Sequence, residues 1–202
     1  MIKLKLIALE LELIDAFKLA FKDLPNVEFI NDYFQNVKEY DCLVSPANSF
    51  GLMDGGMDQY ITEYFGKQLQ TRVQKTILEE YGGEQPVGTS FIVDTKNIKH
   101  PFLAHTPTMR VPLFITSTDV AYYAMKATLL AISKKSEIQT LLCPGFGTGC
   151  GKIDYGVAAR QMAVAYKHYL NPIKAINWTT ANKRHEEVMQ AYYGDALHYE
   201  RS

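Results

Sequence analysis

The sequence predicts an α/β fold layered on a largely parallel sheet, and three observations predict it. Apolar runs of strand length recur along the 202 residues, and segments with apolar residues at helical spacing lie between several of them. Two glycine-rich turns fall where a strand should end and a helix begin. The length fits a single domain spanning 1–202, with a core over roughly 1–178 and a C-terminal helix and tail over 179–202. A composition of 47% hydrophobic and 21% charged residues is that of an ordinary soluble globular protein.

In chain order, strand runs are expected at 2–9, 27–30, 42–44, 90–93, 102–104 and 139–143, with a weaker run at 174–178. Leu13, Phe17, Ala20 and Phe21 mark the first helix, and Met57, Ile61 and Phe65 the second. A third carries Ala121, Met125, Leu129 and Ile132, and a fourth Ala158, Met162, Ala165, Tyr166 and Tyr169. The last stretch, from Thr180, reads as one helix through Met189 followed by a polar tail that includes Tyr199. No repeat, low-complexity tract or Ser/Gly linker interrupts this order.

Charge and cysteine usage exclude several classes of function. The 21 Lys and Arg nearly balance 22 Asp and Glu, and no basic stripe is present, so duplex nucleic acid is not an expected partner. Near the N-terminus, Glu10 and Glu12 cut the apolar run after Lys5 far short of a signal segment or membrane span. Cys42, Cys143 and Cys150 have neither the even count of a disulfide framework nor C-x-x-C spacing. A cytoplasmic protein without a membrane, metal or organic cofactor is the expectation.

The two turns carry the chemistry. The first runs from Ser45 through Asn48, Gly51, Gly55 and Gly56 to Asp58, after the apolar Cys42-Leu43-Val44. The second is Pro144-Gly145-Phe146-Gly147-Thr148-Gly149-Cys150-Gly151, after Leu141-Leu142-Cys143. Glycine lets backbone N–H groups turn toward a ligand and removes the Cβ that would block close approach, which suits phosphate at a helix N-terminus. Ligands on parallel sheets sit at the carboxyl ends of strands, where both turns fall, and two such turns suit a diphosphate. Neither the dinucleotide pattern nor the Walker pattern is met, since Cys150 stands where the last glycine of G-x-G-x-x-G would be and Ile153 follows Gly151-Lys152. Asn48 offers a donor and an acceptor at a strand end, or else forms an Asx turn. Asp58 is either a functional carboxylate or a complement to the helix dipole.

Taken together, Asp41-Cys42-Leu43-Val44-Ser45-Pro46-Ala47-Asn48-Ser49 continuing through Gly55-Gly56-Met57-Asp58-Gln59-Tyr60-Ile61 resembles the macrodomain signature. The second turn is similar to that family's second phosphate loop, and Phe102-Leu103-Ala104-His105-Thr106-Pro107 to its intervening strand ending in His. The resemblance implies a three-layer α/β/α fold with a central mixed, largely parallel sheet. It also implies binding of ADP-ribose or a derivative, and in some members hydrolysis of ADP-ribosyl esters or ADP-ribose 1″-phosphate. A non-catalytic reader of ADP-ribosylated proteins, or a binder of another nucleotide or of RNA, is the alternative.

Carried onto this chain, Asn48 would bond the distal ribose. Gly55 and Gly56 would approach that ribose and the diphosphate, and the loop of Gly145, Phe146, Gly147, Thr148, Gly149, Cys150 and Gly151 would wrap it from the other side. Asp58 would activate water or accept from a ribose hydroxyl, with His105 a further catalytic candidate at a strand end. Asp32 is the nearest match to the adenine-recognising carboxylate, and Phe146 or Phe50 to the aromatic of the distal pocket. The chain departs from the family pattern at Ser45-Pro46, where many members have Asn-Ala, and in the segment 105–120, which has no derivable role. Within it, Arg110 either touches a terminal phosphate or is a solvated loop arginine, and Cys150 has no identifiable catalytic partner.

Overall fold

Six strands form one sheet in the order β2-β1-β6-β3-β5-β4, every neighbouring pair parallel except β4 with β5. The computed structural model describes residues 2–117 and 119–194, and the predicted polar tail with Tyr199 lies outside the described residues. The strands are β1 (Lys3–Ala8), β2 (Val27–Asn31), β3 (Cys42–Asn48), β4 (Phe91–Asp94), β5 (Phe102–Met109) and β6 (Thr140–Pro144). The helices are α1 (Leu11–Ala20), α2 (Gly56–Phe65), α3 (Gln68–Tyr81), α4 (Val120–Ile132), α5 (Tyr155–Leu170) and α6 (Trp178–Tyr193). This is the α/β fold with a mixed, largely parallel sheet that the sequence predicts.

Alternation along the strands sends side chains to two separate cores. On one face Leu4, Leu6, Val44, Leu141 and Cys143 meet Phe17 of α1, Met125 and Leu129 of α4, and Met162 and Tyr166 of α5. On the other, Ile7, Leu43, Leu103 and Leu142 meet Ile61 of α2 and Leu69, Val73 and Ile77 of α3. Helices on both faces leave the inner strands no solvated side, so these strands read as near-continuous apolar runs. Each fully buried Leu contributes on the order of 1.5–3 kcal/mol relative to exposure. The N-terminal β1 lies inside the sheet between β2 and β6.

Three elements differ from expectation. β3 and β5 run four and five residues past their apolar stretches, to Asn48 and Met109, because the ladder accepts buried polar residues such as Ser45 and Thr106. Residues 174–178 form no strand. They have no ladder partner, Ile176 is 90% exposed, and α6 starts at Trp178 behind a capping box formed by Asn177 and Thr180. Helix α3 is absent from the pattern of apolar spacing that marks the other helices. It packs through Leu69, Val73 and Ile77, one apolar residue per turn, while the rest of its surface is polar. No described helix is long and apolar enough to cross a membrane.

Candidate functional site

A cleft of about 770 Å³ opens along the carboxyl ends of the central strands. It runs from Asp32 and Tyr33 after β2, past β1 and β6, to Asn48 of β3 and Thr108 of β5. Four strand spacings at about 4.8 Å each make that span about 19 Å.

The loop after β3 is shaped by Asn48, whose Oδ1 accepts from the N–H groups of Phe50 (3.1 Å) and Leu52 (3.2 Å). Its Nδ2 donates to the carbonyl of Leu52 at 2.7 Å, so the side chain clasps its own loop in the Asx manner. The clasp delivers Gly55 and Gly56 to the head of α2, where a Cβ on either would meet nothing within 4 Å. Gly55 caps α2 without a side-chain hydrogen bond. Among the described residues the N–H groups of Gly55, Gly56, Met57 and Asp58 have no acceptor, and all four residues line the cleft. An uncapped helix N-terminus thus presents its unpaired donors and the positive end of its dipole to the cleft.

Asp58 lies in the first turn of α2 and is 6% exposed. Its Oδ1 accepts a 2.5 Å hydrogen bond from the hydroxyl of Ser45, which β3 holds fully buried beneath the helix. Burial pushes the carboxyl up to about 6, against the Ser45 hydrogen bond that favours its ionised form. A carboxylate that titrates near neutrality in a cleft can accept from a hydroxyl when ionised and exchange a proton with bound water.

The loop after β6 supplies the second set of donors. Among the described residues, none of the backbone N–H groups from Gly147 to Gly151 finds an acceptor, whereas those of Lys152 and Ile153 turn back to the carbonyls of Gly149 and Gly147. Gly147 has φ +72°, and a Cβ there would lie 2.5 Å from Ile153; one on Gly151 would lie 2.5 Å from Ile115. The sequence places this loop directly at a helix N-terminus, but α5 begins only at Tyr155, and Asp154 caps it by accepting from Val157 N–H at 3.0 Å. The loop itself, rather than the helix head, therefore provides the free amides on this side.

Of the sequence-predicted residues, Asp32, Asn48, Gly55, Gly56, Asp58, Gly145, Gly147, Thr148, Gly149, Cys150 and Gly151 all line the cleft. Asp32 closes its local turn through Oδ1, which accepts from Tyr33 N–H and Asn36 Nδ2, both at 2.7 Å. His105 and Phe146 do not line it. His105 lies in mid-strand, four residues before the end of β5, fully buried against Phe91 and bonded through Nδ1 to Gln85 Oε1 at 2.6 Å. Burial pushes its imidazole down to about 3, so it stays neutral. Phe146 is fully buried in the core that α1, α4 and α5 cover. Phe50 stays off the cleft wall, and Arg110 pairs with Glu84 at the surface.

The segment after β5 acquires a role. Val111 and Pro112 border the cleft, and Ile115 seats its side chain against Gly147 and Gly151 while donating its N–H to the carbonyl of Gly151 at 2.9 Å. Sequence reasoning missed the Ser45 donor, Thr108 and Gln35, two of which have a buried oxygen without a partner in the cleft. Ser45 sits inside the recognised motif, yet only the sheet register shows that it lies beneath Asp58.

Comparison with known proteins decides the family. The model of the Macro domain family matches residues 44–162, which contain both glycine-rich loops and α2. The chain belongs to the Macro domain family. A protein of Aquifex aeolicus is 32% identical to this macrodomain over 123 residues, covering 60% of this chain and 70% of the relative. Among solved structures, the macrodomain of Mycobacterium tuberculosis DarG superposes with a TM-score of 0.58 at 19% identity, over 72% of this chain and 91% of that one. A mutant of the Oceanobacillus iheyensis macrodomain with ADPR gives 0.56 at 17% identity, over 74% and 84%. At those identities the structural likeness is one of fold.

The macrodomain match starts inside β3, yet the cleft also uses Ile7, Ala8 and Asp32 from the elements before it. Its charged lining is mostly acidic, with Glu10, Asp32, Asp54 and Asp58 against Lys152. Attraction for an anion therefore rests on the two rows of backbone N–H groups. Among the described residues no group of three or more His, Cys, Asp or Glu could hold a metal ion.

Proposed function

We propose that the cleft binds ADP-ribose or a phosphorylated or ester derivative of it. One observation carries this reading: two rows of unpaired backbone N–H groups, from Gly55 to Asp58 and from Gly147 to Gly151, line a single elongated cleft. A diphosphate between them would be held without a lysine or arginine. The sugars would then lie on either side, the adenosine toward Asp32 and the distal ribose toward Asn48 and Asp58. The ADPR that accompanies the O. iheyensis macrodomain structure supports the choice of ligand.

Calorimetry with ADP-ribose beside AMP and NAD tests the reading. Gly55→Val is the informative variant, because the backbone there is extended (φ −148°) and the new side chain enters open space, leaving the fold intact while filling the cleft. Micromolar binding of ADP-ribose that is lost in Gly55→Val supports the reading, and no heat from the folded wild type refutes it.

A catalytic role has its own support in the buried, near-neutral carboxyl of Asp58. In that role Asp58 takes a proton from the water that attacks the distal ribose carbon or the acyl or phosphoryl group bonded to it; the bond between the ribose and that group breaks, and the proton passes to the oxygen that leaves. Turnover of an ADP-ribosyl ester or of ADP-ribose 1″-phosphate that disappears in Asp58→Asn while ADP-ribose still binds favours the hydrolase. Absence of turnover on every linkage favours a reader of ADP-ribosylated proteins.

A further inference from the structure

Two threonines stand two residues apart near the end of β5, and their hydroxyls have different fates. Thr106 is fully buried and satisfied, its Oγ1 lying 2.7 Å from Ser90 Oγ and 2.9 Å from Thr128 Oγ1. Thr108 is 2% exposed and lines the cleft, but its Oγ1 is buried without a hydrogen-bond partner. Natural interiors rarely leave a hydroxyl in that condition, and one in a binding cleft points to a partner that arrives with the ligand.

The backbone explains how the side chain comes to be there. In the β3–β5 ladder Ala47 pairs with Pro107 and Asn48 with Met109, so Thr108 is an extra residue with no opposite number. A bulge of this kind re-aims a side chain next to a site and ends regular pairing. It falls beside Asn48, at the β5 end of the cleft, and β3 and β6, the strands from which the two amide-bearing loops leave, stand between β5 and β2.

We propose that Thr108 reads the sugar beyond the diphosphate, its Oγ1 exchanging a hydrogen bond with a hydroxyl of the distal ribose. This rests on the ADP-ribose reading above and assigns one of its contacts. Ligands that end at the diphosphate leave this hydroxyl unused, so Thr108 favours ADP-ribose over ADP.

Paired titrations with ADP-ribose and ADP test the assignment on the wild type, Thr108→Val and Thr108→Ser. Thr108→Val keeps the branched shape without the hydroxyl. It is expected to weaken ADP-ribose about tenfold, leave ADP unchanged and keep a Tm no lower than that of the wild type. Thr108→Ser restores the hydroxyl and is expected to bind within about twofold of the wild type. Equal affinity of Thr108→Val and wild type for ADP-ribose overturns the proposal, as does an equal loss for ADP and ADP-ribose. A lower Tm for Thr108→Val with no change in its affinity for either ligand also overturns it, since the hydroxyl would then serve the fold. Thr108→Ala, which also lacks the hydroxyl, gives the same contrast of ligands if the valine variant does not fold. Silence of the wild type with both ligands instead refutes the ADP-ribose reading itself, and the assignment falls with it.

Discussion

Replacing Asp58 by Asn should stabilise the protein at neutral pH and leave it unchanged in acid. The carboxyl is raised from 3.8 to about 6 because burial disfavours its ionised form more than the Ser45 hydroxyl favours it. A raised carboxyl binds its proton more tightly folded than unfolded, so its stabilising contribution is present below about pH 4 and is lost as pH rises through about 6. At pH 7 to 8 the ionised group therefore costs the folded state about 3 kcal/mol. Asn keeps the size of the side chain and an oxygen to accept from Ser45, but carries no charge. Urea unfolding of both proteins from pH 4 to pH 8 should show Asp58→Asn within about 0.5 kcal/mol of wild type at the acid end and more stable by up to about 3 kcal/mol at the alkaline end. Other titrating groups are common to both proteins and cancel in the difference. A difference that is flat across this range, or that grows toward acid, would mean that Asp58 is not a destabilised carboxylate, and the catalytic reading would lose its physical basis.

Ser45→Ala removes the hydroxyl that favours the ionised carboxylate, so the titration of Asp58, followed by NMR or as the acid limb of any turnover, should shift to higher pH. Gly147→Ala must hold an L residue at φ +72° against Ile153 and should lose about 2–3 kcal/mol in urea unfolding. Gly149→Ala, with nothing within 4 Å of the new Cβ, should stay within about 0.5 kcal/mol of wild type, and similar losses for the two would contradict the packing described for this loop. Asp154→Ala leaves the head of α5 uncapped and should cost about 1 kcal/mol, read as a lower Tm. Ile77→Ala, which opens the core between α3 and the sheet, should cost about 2–4 kcal/mol by the same assay.

The alternation of strand and helix, and with it the α/β class, could be read from hydrophobic spacing because the four inner strands are buried on both faces. The two glycine turns could be read because glycine recurs at every other position from Gly145 to Gly151, a density that an ordinary connection does not need. Helix α3 escaped notice because Leu69, Val73 and Ile77 are its only fully buried residues and the remainder of the segment resembles a polar connection. The run at 174–178 misled for the opposite reason: apolar residues there have no neighbouring strand to pair with, and strand formation is decided by the partner as much as by the sequence.

The sequence by itself therefore determined the layers of the fold and the presence of two amide-rich turns, since period, glycine content and charge balance are local properties of the chain. Only the tertiary structure decided which groups face the ligand. Register placed Ser45 beneath Asp58 and buried His105 in mid-strand, packing turned Phe146 into the core, and a one-residue bulge left Thr108 without a partner in the cleft. Each of these outcomes depends on a neighbour distant in sequence, which no local pattern encodes.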